Sequence, residues 1–344
     1  MNVVMIIPTG IGCKIGGHCG DATPAAKLLA SCCDKLLIHP NVVNASDLNE
    51  MPDNCLYIEG SILNRFLQGG IYLQEVYSNH VLVVINPIDE SDPVSVKGMT
   101  DAVNAVSAAR ATMGLSAEIV ELAYPLRLIA KMEDGIATGD VFGWRELVAQ
   151  VAEYDFDALA IATKITVSDE VMIDYYREGG VNPVGGVEAL ASKLIAGALN
   201  KPVAHGPVEY SLENFSKILS PAIAVEAVTD NFIHCILKGL HKAPRLNIEH
   251  GMHVDEIDYL VSPFGCWGVP HKACVQRGIP IIVVEDNDTV CHDKYPEGAK
   301  LIFVKNYLEA VGYLKAVQTG VDPLTVSRPL SYTSVYRAKR VKVD

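Results

Sequence analysis

Val3-Val4-Met5-Ile6-Ile7-Pro8, then Thr9-Gly10-Ile11-Gly12-Cys13-Lys14-Ile15-Gly16-Gly17-His18-Cys19-Gly20-Asp21, then Thr23-Pro24, is the passage from which the architecture can be read. A short unbroken apolar run reads as a buried parallel strand, and the glycine cluster that ends it reads as a loop. Thr23 and Pro24 suit the cap and first turn of a helix. The pattern is therefore strand, loop at the strand's carboxyl end, helix.

Moving outward, the same alternation recurs to the end of the chain. Strands are expected at Leu36–Pro40, Val81–Asn86, Ile119–Leu122, Ala158–Ala162, Pro202–His205, Tyr259–Ser262, Ile281–Glu285 and Leu301–Val304. Between them, Val96, Met99, Val103, Val106 and Met113 repeat at helical spacing up to Gly114. Further helices are expected at Trp144–Tyr154, Val187–Leu199, from about Pro221 to Leu240, at Pro270–Arg277 and at Tyr307–Val317. No repeat of solenoid length is present. The least hydrophobic, most glycine-rich join runs from Glu133-Asp134-Gly135 to Gly139-Asp140. The expected fold is α/β: two Rossmann-like, doubly wound, mainly parallel domains (1–135 and 136–330) with a cleft between them, and a tail at 331–344.

Composition narrows the function. The 344 residues are 49% hydrophobic and 20% charged, with a formal net charge of −13. That balance is globular, and with no basic stripe before the last residues it disfavours nucleic acid and anionic membranes. No apolar run reaches membrane-spanning length, and the N-terminus lacks the basic start of a signal peptide. The nine cysteines include the vicinal Cys32 and Cys33 but no C-x-x-C pair, which suggests reduced thiols and a cytoplasmic location. Arg337-Ala338-Lys339-Arg340-Val341-Lys342 reads as a solvated basic terminus. The expected partner is a small-molecule substrate, with homo-oligomerisation left open.

Ligands of such folds sit beyond the carboxyl ends of the strands, and four loops there are chemically unusual. The first, Thr9–Asp21, brings Gly10, Gly12, Gly16 and Gly17 with His18 and Asp21; its spacing misses a dinucleotide fingerprint and a Walker loop, so no cofactor is expected. The second, His39–Glu50, offers Asn41, Asn44, Ser46 and Asp47 to orient a polar substrate, although such residues also fix turns. The third is Gly179-Gly180-Val181-Asn182-Pro183-Val184-Gly185-Gly186, where Asn182, Gly185 and Gly186 precede a helix and could cradle an anion. The fourth is Ser262-Pro263-Phe264-Gly265-Cys266-Trp267-Gly268-Val269-Pro270-His271. There Cys266, between Gly265 and Gly268 and close to His271, stands before a helix start that would depress its pKa. His205 ends a strand with Glu209 four residues on and is positioned to face the cleft. His250 and His253 form an H-x-x-H in a segment without helical period and read as turn residues, so no metal is expected.

Taken together, Ile7-Pro8-Thr9-Gly10-Ile11-Gly12, Gly16-Gly17-His18-Cys19-Gly20-Asp21-Ala22, His39-Pro40-Asn41-Val42-Val43-Asn44-Ala45-Ser46-Asp47 and Asn182-Pro183-Val184-Gly185-Gly186-Val187-Glu188-Ala189 resemble an uncharacterised domain family of cyanobacteria, plastids and other bacteria. The resemblance spans nearly the whole chain and brings no activity with it. Cys19 stands where that family carries a small residue, which makes it a poor catalytic candidate. Locally, Tyr259–Ser262 with Phe264-Gly265-Cys266 is similar to the second catalytic-cysteine loop of aspartate/glutamate racemases. The opposing thiol of those enzymes is replaced by the Val42-Val43 stretch, so the likeness implies a one-thiol isomerase or lyase. Gly268-Val269-Pro270, Ala273, Gly278-Ile279-Pro280 and the following strand are similar to the donor-site unit of nucleotide-sugar epimerases and two-domain glycosyltransferases.

The resulting expectation is an isomerase, lyase or hydrolase acting on a small polar carboxylate or carbonyl compound. Cys266 would be acid/base or nucleophile, with His271 close by and His18 and Asp21 across the cleft, as further catalytic candidates. Nucleotide-sugar or phosphorylated-metabolite chemistry and a non-catalytic metabolite-binding protein are the alternatives.

Overall fold

The computed structural model describes residues 1–16, 22–44, 48–208 and 232–339. In chain order its strands are β1 (Asn2–Met5), β2 (Lys35–Ile38), β3 (Cys55–Tyr57), β4 (Tyr72–Gln74), β5 (His80–Ile85), β6 (Ser116–Glu121), β7 (Arg127–Glu133), β8 (Ile136–Phe142), β9 (Ala158–Ala162), β10 (Ile165–Thr166), β11 (Val203–His205), β12 (Arg245–Asn247), β13 (Tyr259–Phe264), β14 (Ile281–Asp288) and β15 (Leu301–Val304). The described helices are α1 (Thr23–Ala30), α2 (Gly60–Leu67), α3 (Pro93–Met113), α4 (Trp144–Val151), α5 (Asp169–Glu178), α6 (Gly185–Leu199), α7 (Phe232–His241), α8 (Val269–Arg277) and α9 (Tyr307–Gln318).

Two parallel sheets form the frame. The larger has the order β15-β14-β13-β1-β2-β3 and the smaller β11-β9-β5-β6. The hairpin β7–β8 is antiparallel and takes β10 alongside β7, and β4 pairs antiparallel with β12. The fold is thus α/β with mainly parallel sheets.

Every residue of β9 is buried, and so are Val81–Ile85 of β5. That is why both segments read as unbroken apolar runs: a parallel sheet is covered on both faces. Side-chain alternation then sorts residues between two helix layers. Val3, Met5, Val81 and Val83 join α1, α3, α7 and α9 in one core, while Val4, Ile6, Leu82 and Val84 join α2, α4, α6 and α8 in the other. Each core contains side chains from both sheets, so the helix layers run across the pair.

The strands are not sorted on either side of residue 135. The larger sheet takes β1–β3 from before it and β13–β15 from after it, and the smaller sheet is likewise mixed. Asp134 (φ 50°) and Gly135 (φ 77°) form the two-residue tip of the β7–β8 hairpin. Consecutive positive φ values at Asp-Gly give the turn whose twist matches a hairpin. The glycine-rich, polar join is therefore a hairpin turn, not a linker between sheets.

In the larger sheet the chain builds outward from β1 through β2 to β3, and later from β13 through β14 to β15 in the opposite direction. The order reverses between β1 and β13, where strand-end loops part and leave a crevice. From the long helix expected to start near Pro221, only α7 falls within the described residues.

Candidate functional site

Two adjoining hollows open at the carboxyl ends of the strands, sharing Thr9, His39 and Gly60 as a common wall. The first, of about 110 Å³, lies between the sheets. Thr9 and Gly10 reach it from the end of β1, His39 and Asn41 from β2, and Glu59 from β3. His205 comes from the end of β11, and Asn182, Gly185 and Glu188 from the start of α6. The second, of about 380 Å³, lies at the β1/β13 reversal and is mostly apolar, with Ile6, Ile11, Leu63 and Trp267 beside Cys266 and His271.

His205 and Glu188 form the best-defined polar pair. The imidazole is buried, and its Nε2 lies 3.0 Å from the Thr163 carbonyl oxygen and 3.1 Å from Thr163 Oγ1. A carbonyl only accepts, so Nε2 carries a hydrogen. Its Nδ1 lies 2.8 Å from Glu188 Oε1. Since Nε2 is already a donor, one proton on the Nδ1–Oε1 line belongs to the pair jointly: an imidazolium facing a carboxylate, or an imidazole facing a carboxylic acid. Glu188 Oε2 makes no hydrogen bond among the described residues, and the side chain lines the first hollow.

Glu59 is the second carboxyl group. It caps α2, accepting from Ser61 N at 2.8 Å, Ile62 N at 3.0 Å and the Ser61 hydroxyl, all at Oε2. The residue is 5% exposed, and burial raises its pKa even though all three hydrogen bonds oppose the shift. Its Oε1 has no partner among the described residues.

His39 is held neutral. Ile7 N–H donates to its Nε2 at 3.1 Å, and Asn41 N–H lies 3.3 Å from Nδ1. A proton added at Nε2 would confront a donor already in place, and burial drives the pKa down to about 4. Asn41 fixes the end of β1 by donating both amide hydrogens, to Ile7 O at 3.1 Å and Pro8 O at 3.0 Å. That leaves its Oδ1 as an acceptor toward the hollow.

Cys266 departs from the reactive thiol expected beside a helix start. It is 3% exposed, and burial pushes its pKa up to about 11. Its thiol donates to Pro263 O at 3.3 Å and lies 3.3 Å from Ser262 Oγ. His271 does turn inward, but its nitrogens are occupied. Nδ1 accepts Gly268 N–H at 3.0 Å, so Nε2 carries the hydrogen and donates to Ser262 Oγ at 2.8 Å, with Cys266 Sγ at a distant 3.9 Å. Burial lowers the His271 pKa to about 4, and Trp267 stacks on the ring. A neutral imidazole whose acceptor nitrogen is taken withdraws no proton from the thiol.

Of the residues singled out in the sequence, the first hollow brings together Gly10, Asn41, Asn44, Asn182 and Gly185, and the second Cys266, Gly268 and His271. Gly12 lines a separate hollow with Lys14 and Val181. Gly16 packs against Ile7 and Ala22, and a Cβ on Gly186 would sit 2.1 Å from Ala137 O. That glycine admits the β7–β8 hairpin against α6. The backbone of Gly265 is tied to Tyr295 and Thr289. Asn182 accepts Val184 N–H at 3.0 Å and so also shapes the entry to α6. Gly17, His18, Asp21, Ser46, Asp47 and Glu209 lie outside the described residues. In the H-x-x-H, His253 starts a short 3-10 turn whose Glu256 accepts its N–H.

Among the described residues, no group of three or more His, Cys, Asp or Glu side chains is placed to hold a metal ion. No described helix is long and apolar enough to cross a membrane. Glu59 and Thr163 escaped the sequence reading. Glu59 had a usable signal, since a carboxylate before Gly60-Ser61 and the helical spacing of Ile62, Leu63, Phe66 and Leu67 mark a capped helix. Thr163, which acts through its carbonyl, had none.

The chain is 33% identical over 351 residues to an uncharacterized lipoprotein of Synechococcus sp., with 96% of each chain covered. No solved structure matches it. Residues 2–327 match the family described as "Protein of unknown function (DUF3326)", and with nearly the whole chain spanned, this protein belongs to that family.

Proposed function

We propose that the protein is an enzyme that moves a proton on a small polar metabolite bound between the sheets, in a reaction of the isomerase, lyase or hydrolase kind. Glu188 is the acid–base group and His205 its partner. The observation that carries this reading is the Nδ1–Oε1 contact of 2.8 Å in a ring whose Nε2 is pinned to a backbone carbonyl. Such a ring stays oriented while the carboxyl group exchanges a proton at its open oxygen. Glu188 Oε2 takes a proton from substrate, and His205 Nδ1–H, bonded to Oε1, stabilises the carboxylate to which the group returns when the proton is delivered. Cys266 remains a thiol at neutral pH and serves the wall of the second hollow.

Nucleotide-sugar chemistry finds less support, because among the described residues no lysine or arginine lines either hollow. A cellular metabolite extract, compared by mass spectrometry before and after incubation, tests the reading. Wild type should convert at least one metabolite that Glu188→Gln leaves untouched. Equal conversion by both proteins would overturn the assignment, and binding without conversion would make the protein a metabolite-binding module.

We also propose a cytosolic location, supported by the fact that none of the eight described cysteines is in a disulfide. The Synechococcus relative is named a lipoprotein, so the point needs a direct test. Cell fractionation should find this protein in the soluble fraction; recovery with membranes would reverse the placement.

A further inference from the structure

We infer that the ligand of this cleft carries a hydrogen-bond-donating head, an ammonium or hydroxyl group, on an apolar body, and no phosphate or carboxylate at the head. The inference rests on the cleft being the binding site and goes on to name what binds there. Among the described residues, three acceptors of the first hollow's lining have no hydrogen-bond donor: Glu59 Oε1, Glu188 Oε2 and Asn41 Oδ1. The Asn41 assignment is fixed by its neighbours, because both its hydrogen bonds go to carbonyl oxygens, which only accept. Glu59 is the decisive member. The side chain is 5% exposed, its Oε2 takes all three of its hydrogen bonds, and among the described residues its Oε1 has no partner and faces the hollow the residue lines.

Charge points the same way. Among the described residues, neither hollow is lined by lysine or arginine. Helix starts attract anions, but the two that border the hollow already have their own carboxyl groups. Glu59 caps α2, and Glu188 stands in the first turn of α6. An anionic head would meet two carboxyl groups, of which Glu188 is already paired with His205 and Glu59 feels Lys193 from outside the lining residues. The adjoining hollow, walled by Ile6, Ile11, Leu63 and Trp267, is suited to the apolar body.

Four probes that share a phenyl body test this: 2-phenylethylamine, 2-phenylethanol, 3-phenylpropanoate and phenyl phosphate. Saturation-transfer NMR and thermal shift on the full chain report binding, since a ligand specific for the native state raises the melting point. The amine and alcohol should bind, and the two anions should bind at least tenfold more weakly. Glu59→Gln keeps an acceptor for the helix cap while turning an amide toward the hollow. Combined with Glu188→Gln, it should weaken the amine at least tenfold and let 3-phenylpropanoate bind. Preferential binding of an anion to wild type, or binding of none of the four, overturns the inference. If the metabolite-extract experiment then shows conversion of an anionic substrate that depends on Glu188, the catalytic reading stands and only the ligand class falls.

Discussion

Lowering the pH from 7 to 5 should weaken the fold through two particular histidines. His39 and His271 are both buried, and burial brings each from 6.5 to about 4. The unfolded chain binds protons at these sites first, so stability is lost as pH falls through 6.5 and levels off below about 4. At pH 5 the unfolded histidines are almost fully protonated and the folded ones almost neutral. The difference is about 2 kcal/mol per ring, or about 4 kcal/mol for the pair. Urea denaturation at pH 7 and pH 5, followed by tryptophan fluorescence, measures this difference. Carboxylates such as Glu50 and Asp288, whose pKa values are lowered by Lys27 and Lys14, add to the acid sensitivity of every variant alike. The discriminating comparison is therefore with His39→Gln. That variant is less stable at pH 7, having disturbed the acceptor for Ile7 N–H, but should lose about 2 kcal/mol less between pH 7 and pH 5 than wild type. A pH dependence unchanged to within about 0.5 kcal/mol would refute the claim that a buried, neutral His39 supports the strand ends.

Other consequences follow from single contacts. Glu59→Ala removes the cap from α2 and should cost about 1–2 kcal/mol in urea denaturation, while Glu59→Gln, which still accepts from Ser61 N and Ile62 N, should cost well under half of that. Gly186→Ala drives a Cβ to 2.1 Å from Ala137 O, so the hairpin or α6 must shift, and a loss of about 1–3 kcal/mol is expected in the same assay. Iodoacetamide at pH 7.5 should modify the half-exposed Cys291 well before Cys266, as read by peptide mass spectrometry; rapid labelling of Cys266 would restore it as a reactive thiol.

Much of this fold is legible in the sequence because parallel strands buried on both faces leave unbroken apolar runs. Val81–Ile85 and Ala158–Ala162 are examples. The strand-end rule picks out loops that the fold brings together: Asn41, Asn44, Asn182 and Gly185 meet at one hollow although far apart in sequence. Local polarity could not reveal which groups are spent on structure. Asn41 uses its amide hydrogens to tie β1, His271 uses both nitrogens on Gly268 and Ser262, and Gly186 makes room for a hairpin. A helix start and an imidazole as sequence neighbours point to an activated Cys266 thiol, but the thiol is buried, which raises its pKa, and the His271 nitrogens are engaged elsewhere. Asp134-Gly135 reads in the sequence as part of a join between domains, and it is the pairing of Glu133 with Ile136 that makes it a hairpin tip. The Glu188–His205 pair joins α6 to β11 across seventeen residues, and no spacing rule encodes that contact.

The central claim, that Glu188 and His205 exchange a proton with a bound metabolite, is tested most directly by solvent isotope uptake. A metabolite extract is incubated with wild type, Glu188→Gln or His205→Asn in D2O, transferred back to H2O to remove label from oxygen and nitrogen, and analysed by high-resolution mass spectrometry. The account predicts at least one metabolite that retains deuterium at carbon after exposure to wild type and does so far more slowly with either variant. Retained label that appears equally with all three proteins, or that disappears on Cys266→Ser instead, would contradict it.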